Sequence, residues 1–234
     1  MQGSYGRLVL PSYKSDGFDE QAGHYVVTNH IQGTESRDRW HQSKPSIAGG
    51  RGLCHATVDL IVDLVRDLSE IPAGALVETG LRIATRKTLH ALLERRLAPL
   101  ARDGLLGDSQ VDRGRALAMD WVTGSCGSGR LFVSNTDFRV LNLIEVSADR
   151  TGLVDWDEAQ ASGFEREHCI AYQWLFLWNR PDLQPALVRA ARDRLDIDRD
   201  TFRVVLLTRA AAQVQIYASM PDLRRMQVNT WPMP

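Results

Sequence analysis

The stretch LCHATVDLIVDLVRDL, Leu53 to Leu68, constrains this chain more than any other segment. Leu53, Thr57, Leu60, Ile61, Leu64, Val65 and Leu68 recur at spacings of three and four, while Asp59, Asp63, Arg66, Asp67 and Glu70 fall mostly on the other side. Only an α-helix puts such a series on one face. A helix with one apolar stripe must bury it against another layer, so the chain needs further elements around a common core. Ile71-Pro72 ends this helix, because proline disfavours the helical conformation of the residue before it. A second helix is predicted from Leu81 to Arg102, with Leu89, Leu92, Leu93, Leu97 and Leu100 inward and Pro99 as a kink. Asp103-Gly104-Leu105 has the form of its C-terminal cap. A third helix starts at Asp182, accepts Pro185 in its first turn, and turns Leu183, Leu187, Ala191 and Leu195 inward.

The remaining apolar runs are short and read as strands. Arg7–Leu10 and His24–Ile31 open the chain, separated by turn residues. After Arg115, the runs ALAMDWVTG, LFVSN and FRVLNLIEVS are β-branched or aromatic and broken by turn signals, and FRVVLLTR and QVQIYAS near the end read the same way. Cys169 to Trp178 is apolar all round and fits a buried strand or a buried helix equally. The expected fold class is α+β: a mixed or antiparallel sheet packed by about three amphipathic helices, in one domain over residues 1–228. Residues 33–52 form a long polar loop, and residues 229–234 a proline-containing tail.

In 234 residues, 44% hydrophobic and 24% charged, a core can form without a disulfide or a metal. The net charge of −1 argues against general nucleic-acid binding, and no apolar run reaches the ~18 residues of a membrane span. Cys54, Cys126 and Cys169 are odd in number and lack C-x-x-C spacing, which points to a reducing, cytoplasmic setting. Neither a cofactor nor a metal is expected, since no histidine pair has H-x-H or H-E-x-x-H spacing.

Cys126 lies in TGSCGSGR. The tetrapeptide Cys126-Gly127-Ser128-Gly129 is similar to the cysteine loop of diaminopimelate epimerases and proline racemases, and the resemblance implies one of two catalytic thiols held against a helix start. The RLFVSNTDF that follows reads instead as a strand, and neither Cys54 nor Cys169 sits in a second such loop, so the segment reads as a hairpin turn. Cys54 is the better placed thiol. It follows Gly49-Gly50-Arg51-Gly52 in the first turn of a helix, where the dipole lowers a thiol pKa. His55 is its neighbour, and His24 or His30 are further candidate bases. Gly50, Arg51 and Gly52 at the same helix start form a candidate anion site. Asp155-Trp156-Asp157-Glu158 reads as an acid cluster at a helix start. The Arg82 to Arg102 segment presents a basic face that either binds nucleic acid or pairs with acidic neighbours.

Trp40 and Trp231 lie outside any periodic element and are candidate partner contacts. With no complete catalytic set in view, the sequence points first to a non-enzymatic binding or assembly protein, a subunit of a homo-oligomer or larger complex. A cysteine-dependent enzyme acting on a small anionic or acyl substrate is the alternative, with Cys54 or Cys126 as nucleophile. A nucleic-acid-associated regulator using the basic helix face comes third.

Overall fold

The computed structural model describes residues 4–19, 23–35, 55–74, 77, 80–124, 131–139, 142–156, 159–177 and 182–218. Ten short strands and six helices lie among them. The N-terminal part carries β1 (Ser4–Tyr5), β2 (Leu8–Val9), β3 (Tyr13–Asp19), β4 (Gly23–Thr28) and β5 (Thr34–Glu35). Then come α1 (His55–Leu68), β6 (Ile83–Ala84), α2 (Arg86–Arg102) and α3 (Asp108–Thr123). The rest is β7 (Phe132–Ser134), β8 (Leu143–Ser147), β9 (Arg150–Leu153), β10 (Gln160–Ser162), α4 (Glu165–Phe176), α5 (Leu183–Leu195) and α6 (Arg199–Ala218).

The architecture is α+β with small mixed sheets, but six helices rather than three build it. One sheet runs β1-β2-β9-β8-β5, a second β6-β10-β7, and β3 pairs with β4 alone. The parallel pairing of β2 with β9 sets Leu8 beside Thr151 and Val9 beside Gly152. The start of the chain is thereby joined to the β8–β9 hairpin in its middle. Two glycines make this possible. Gly6 turns β1 into β2 with φ +55, and a Cβ there would stand 2.5 Å from the Asp67 carboxylate of α1. That carboxylate instead accepts from the Arg7 amide at 2.7 Å. A Cβ on Gly152 would stand 2.7 Å from the Ile31 side chain.

The helices follow their predicted stripes where one face is polar. α1 buries Val58, Ile61, Val62, Leu64, Val65 and Leu68, and its Asp59 and Asp63 pair with Arg194 of α5. α2 begins at Arg86 rather than Leu81, because Thr85 caps it: its Oγ1 accepts from Thr88 N at 3.1 Å, and Thr88 Oγ1 accepts from Thr85 N at 2.8 Å. Pro99 sits within α2 without ending it, and Gly104 follows at φ +65 as the expected cap.

Three expectations of strand structure are corrected. ALAMDWVTG lies in α3, whose buried residues Val111, Gly114, Ala118 and Trp121 follow helical spacing once the segment is read from Asp108. FRVVLLTR and residues 213–218 of QVQIYAS lie in one helix, α6, and most of Phe202 to Ala211 is buried, so no polar face marks its period. For the segment from Cys169, left open between strand and helix, the structure gives helix: residues 165–176 form α4, buried on nearly every side. A segment surrounded by protein carries no amphipathic signal, and a run of β-branched residues then mimics a strand.

Burial on α4 has an energetic consequence at its first turn. Glu165 has a buried Oε2 with no hydrogen-bond partner among the described residues, and burial pushes its carboxyl up to about 7. Between about pH 4.5 and 7 the folded chain keeps a proton that the unfolded chain has released, so this group's contribution declines as pH rises through that window. Glu165→Gln should leave stability unchanged near pH 4 and raise it by about 3 kcal/mol near pH 8. Urea unfolding at the two pH values measures this.

Candidate active site

The turn between β7 and β8 and the turn after β9 meet at one place. In the β8–β9 hairpin Leu143 pairs with Leu153, and the Val154 amide donates to the Asn142 carbonyl at 3.0 Å. This register sets Asn142 beside the residues that leave β9. Asp155 takes the left-handed conformation, φ 63, which Asp tolerates better than most side chains. Its Oδ2 accepts from Asn142 Nδ2 at 3.3 Å. Asn135, 2% exposed, ties the two turns together: its Oδ1 accepts from the Asp137 amide at 2.9 Å and its Nδ2 donates to the Asp155 carbonyl at 3.0 Å.

Asp137 stands at the centre. Its Oδ1 accepts from the Tyr172 hydroxyl at 2.7 Å, and its Oδ2 accepts from Arg139 Nη2 at 2.5 Å and from Asn142 Nδ2 at 2.9 Å. One amide group, that of Asn142, therefore links the carboxylates of Asp137 and Asp155. Tyr172 is held as a hydrogen-bond donor, its pKa pushed up to about 12 by burial and by its bond to Asp137. Two acidic side chains converge here, with the Arg139 guanidinium bonded to one of them. Such a site favours a cation, and its carboxylates can take up a proton.

The turn is held from below by α4 and α6. Gln173 Nε2 donates to the carbonyl of the fully buried Phe138 at 2.8 Å. Arg209 Nη2 donates to the Thr136 carbonyl at 2.5 Å, and its Nε donates to His168 Nε2 at 2.9 Å. Burial, with Arg209 and Arg96 nearby, holds the His168 pKa well below the ordinary histidine value, so the ring is neutral and accepts at Nε2. The Arg209 guanidinium also lies 5.0 Å from the centre of the Tyr172 ring. His168, Tyr172 and Gln173 thus come from successive turns of one buried helix, and each fixes a part of the loop around Asp137.

The sequence singles out mostly other residues. Cys54, Cys126, Gly50, Arg51, Gly52, Trp40, Trp231 and the tail 229–234 fall outside the described residues, as does the 33–52 loop beyond β5. His55 opens α1. His30 is exposed beyond the end of β4, so it does not share a strand with His24. Cys169 is buried, and burial pushes its thiol pKa up, which makes it inert. Asp155 does not start a helix; it belongs to the turn after β9. On the basic α2 face Arg86 donates to Trp121 O and Arg96 to Thr208 O, both at 2.8 Å, and Glu94 pairs with Arg115 of α3. Sequence reading missed Asp137 and Asn142 by taking residues 138–147 as one strand. The available signal was an Asp and an Asn five residues apart between two short apolar runs, with a further Asp just beyond the second hairpin strand.

Among the described residues no group of three or more His, Cys, Asp and Glu side chains could hold a metal ion, and no helix is long and apolar enough to cross a membrane. No protein-family model matches the sequence, and no curated protein matches it. Solved structures do resemble the fold. A mutant of aminoglycoside 2′-phosphotransferase-IIIa in complex with GDP superposes with a TM-score of 0.61 at 16% identity, covering 97% of this chain and 74% of that one. Macrolide 2′-phosphotransferase type I gives 0.58 at 13% identity, over 97% and 75%. A macrolide 2′-phosphotransferase from Brachybacterium faecium, as apoenzyme, gives 0.55 at 13%, over 98% and 75%. At these identities the likeness is one of fold, and the fold is kinase-like. That finding overturns the expectation of a non-enzymatic assembly subunit, because the proteins that share this architecture are phosphotransferase enzymes.

Proposed function

We propose that this chain is a phosphotransferase that moves the terminal phosphoryl group of a nucleoside triphosphate to a hydroxyl of a small molecule. The observation that carries the reading is the junction of Asp137, Asn142 and Asp155. Protein kinases place an Asp and, five residues later, an Asn in the catalytic loop, and a second Asp in the following turn. The first orients the acceptor hydroxyl, and the other two hold magnesium. Asp137, Asn142 and Asp155 have that spacing and order, on a fold that phosphotransferases use.

In this reading Asp137 accepts a hydrogen bond from the acceptor hydroxyl. The hydroxyl oxygen forms a bond to the terminal phosphorus as the bond to the bridging oxygen breaks, the nucleoside diphosphate leaves, and the hydroxyl proton passes to the Asp137 carboxylate. Tyr172 and Asn142 fix the carboxylate so that a free lone pair can face the acceptor. Arg139, whose buried Nε has no partner among the described residues, stands where it can stabilise negative charge on the moving phosphoryl group. Asp155 and Asn142 offer the hard oxygen donors that magnesium takes from one or two protein residues when nucleotide phosphates supply the others. When bound, the ion would neutralise phosphate charge.

Two departures from the protein-kinase pattern are visible. Asn135 stands where that pattern has His, and it uses its side chain to lace the two turns. No G-x-G-x-x-G run occurs in the sequence, so the phosphates are gripped by other means.

Incubation with γ-labelled GTP or ATP, magnesium, and an aminoglycoside or macrolide acceptor tests the proposal. Label should pass to an acceptor or, slowly, to water, and Asp155→Asn should abolish both. If label never leaves the nucleotide faster than in a protein-free control, the proposal is wrong.

A further inference from the structure

A groove of about 510 Å³ lies where the end of α4 meets the outer face of α5, lined by Trp174, Pro185, Val188, Arg189 and Arg192. The last four recur at spacings of three and four. They form one stripe of α5, turned away from its buried Leu183, Leu187, Ala191 and Leu195. Gln184 Nε2 donates to the Trp174 carbonyl at 2.9 Å and so ties the two helices together beside the groove. Trp174 is half-buried, and Arg189 and Arg192 are exposed. The indole N–H of Trp121 donates to Thr201 and that of Trp156 to the Leu153 carbonyl, both at 2.8 Å. That of Trp174 has no partner among the described residues. Arg194 of the same helix meets Asp59 and Asp63 of α1, whereas Arg189 and Arg192 meet no carboxylate among the described residues. Asp193 also lines the groove and pairs with neither of them.

Two guanidiniums and an indole N–H thus border a groove whose other walls are the indole ring, Pro185 and Val188. Arginines one turn apart on a helix repel each other, and an anion between them turns that repulsion into two charge-assisted hydrogen bonds. The guanidinium fork matches the paired oxygens of a carboxylate. The indole supplies a flat apolar face against which another ring can stack, and its N–H is a third donor. The volume is that of a site for a small organic molecule. We infer that this groove binds a small aromatic carboxylate, its ring against Trp174, Pro185 and Val188 and its charge between Arg189 and Arg192. Side chains two residues apart on a helix point about 200° apart, so Trp174 faces away from Tyr172 and from the Asp137 that Tyr172 holds. The site is separate from the Asp137 carboxylate and stands whether or not the chain transfers phosphoryl groups.

Calorimetric titration of the full chain with naphthoate tests the inference, with naphthamide and acetate as comparators. The amide keeps the rings without the charge, and acetate keeps the charge without the rings. Naphthoate should bind at least about tenfold tighter than either, and its affinity should fall as salt is added. The Arg189→Gln/Arg192→Gln double substitution alters two exposed side chains, so the melting temperature should hold while affinity falls at least about tenfold. Trp174→Phe keeps an aromatic wall and removes the N–H, and affinity should fall about threefold or more. Asp137→Asn should leave the binding unchanged. No binding at millimolar naphthoate, equal binding by the double variant or by Trp174→Phe, or naphthamide binding as tightly as naphthoate would each overturn the assignment. Loss of binding in Asp137→Asn alone would overturn it too, by moving the ligand to the catalytic turn.

Discussion

Asp137→Asn should lower phosphoryl transfer by about a thousandfold with little change in the apparent affinity for nucleotide. The substitution keeps the size and shape of the side chain and removes its ability to take a proton, and positioned general bases contribute between about a hundredfold and ten-thousandfold. Its nearest neighbours make the loss specific. Oδ2 now accepts from both Arg139 and Asn142, and an amide nitrogen there would face two donors. Oδ1 can still accept from Tyr172. The variant should therefore fold, with a slightly lower melting temperature, and lose turnover. Steady-state kinetics beside a thermal melt separate the two effects. Unchanged turnover in a folded variant would remove Asp137 from the chemistry.

Arg209→Leu should cost about 3 kcal/mol of stability and reduce turnover by more than tenfold. The guanidinium donates to the Thr136 carbonyl and to His168, and a charged donor removed from buried acceptors leaves them unpaired. Thr136 is the residue before Asp137, so slack there moves the catalytic carboxylate directly. His168 gives an independent readout. Arg209 is one of the causes that hold its pKa down, so its titration should move upward in the variant while burial still keeps it below an exposed histidine. Arg209→Lys should recover less than half of the lost stability, because an ammonium lacks the fork that reaches both acceptors. Denaturant unfolding and imidazole proton resonances supply the measurements.

The sequence made some of this plain and concealed the rest for physical reasons. α1 and α5 lie at the surface with one wet side, so their apolar residues keep helical period and their limits were readable. α4 and α6 sit in the interior, where every side meets protein, and their runs of Val, Leu and Ile resemble strands. Those hidden helices are the ones that grip the catalytic turn through His168, Tyr172, Gln173 and Arg209. Asp137 and Asn142 looked ordinary because neither has a distinctive sequence neighbour; their meaning comes from a hairpin register that brings Asp155 next to Asn142. Cysteines drew attention instead, since thiols beside glycine are conspicuous in a sequence, and the one that is described is buried and inert. The α+β class survived because the surface helices and the short strands suffice to recognise it.

The parallel pairing of β2 with β9 also governs the order of events during synthesis. Leu8 and Val9 leave the ribosome early, but their partners Thr151 and Gly152 are made only after α1, α2 and α3. Until then β2 has an open edge and Leu8, fully buried in the finished protein, has nowhere to go. Strand pairings this distant in sequence form slowly, because a long loop must close before any contact rewards it. The nascent chain therefore carries a sticky ribbon until β9 is made, and the strand that completes the sheet also leads into Asp155. Assembly of the junction of Asp137, Asn142 and Asp155 and concealment of that ribbon are one step, so a chain that has not yet hidden these strands has not formed the junction.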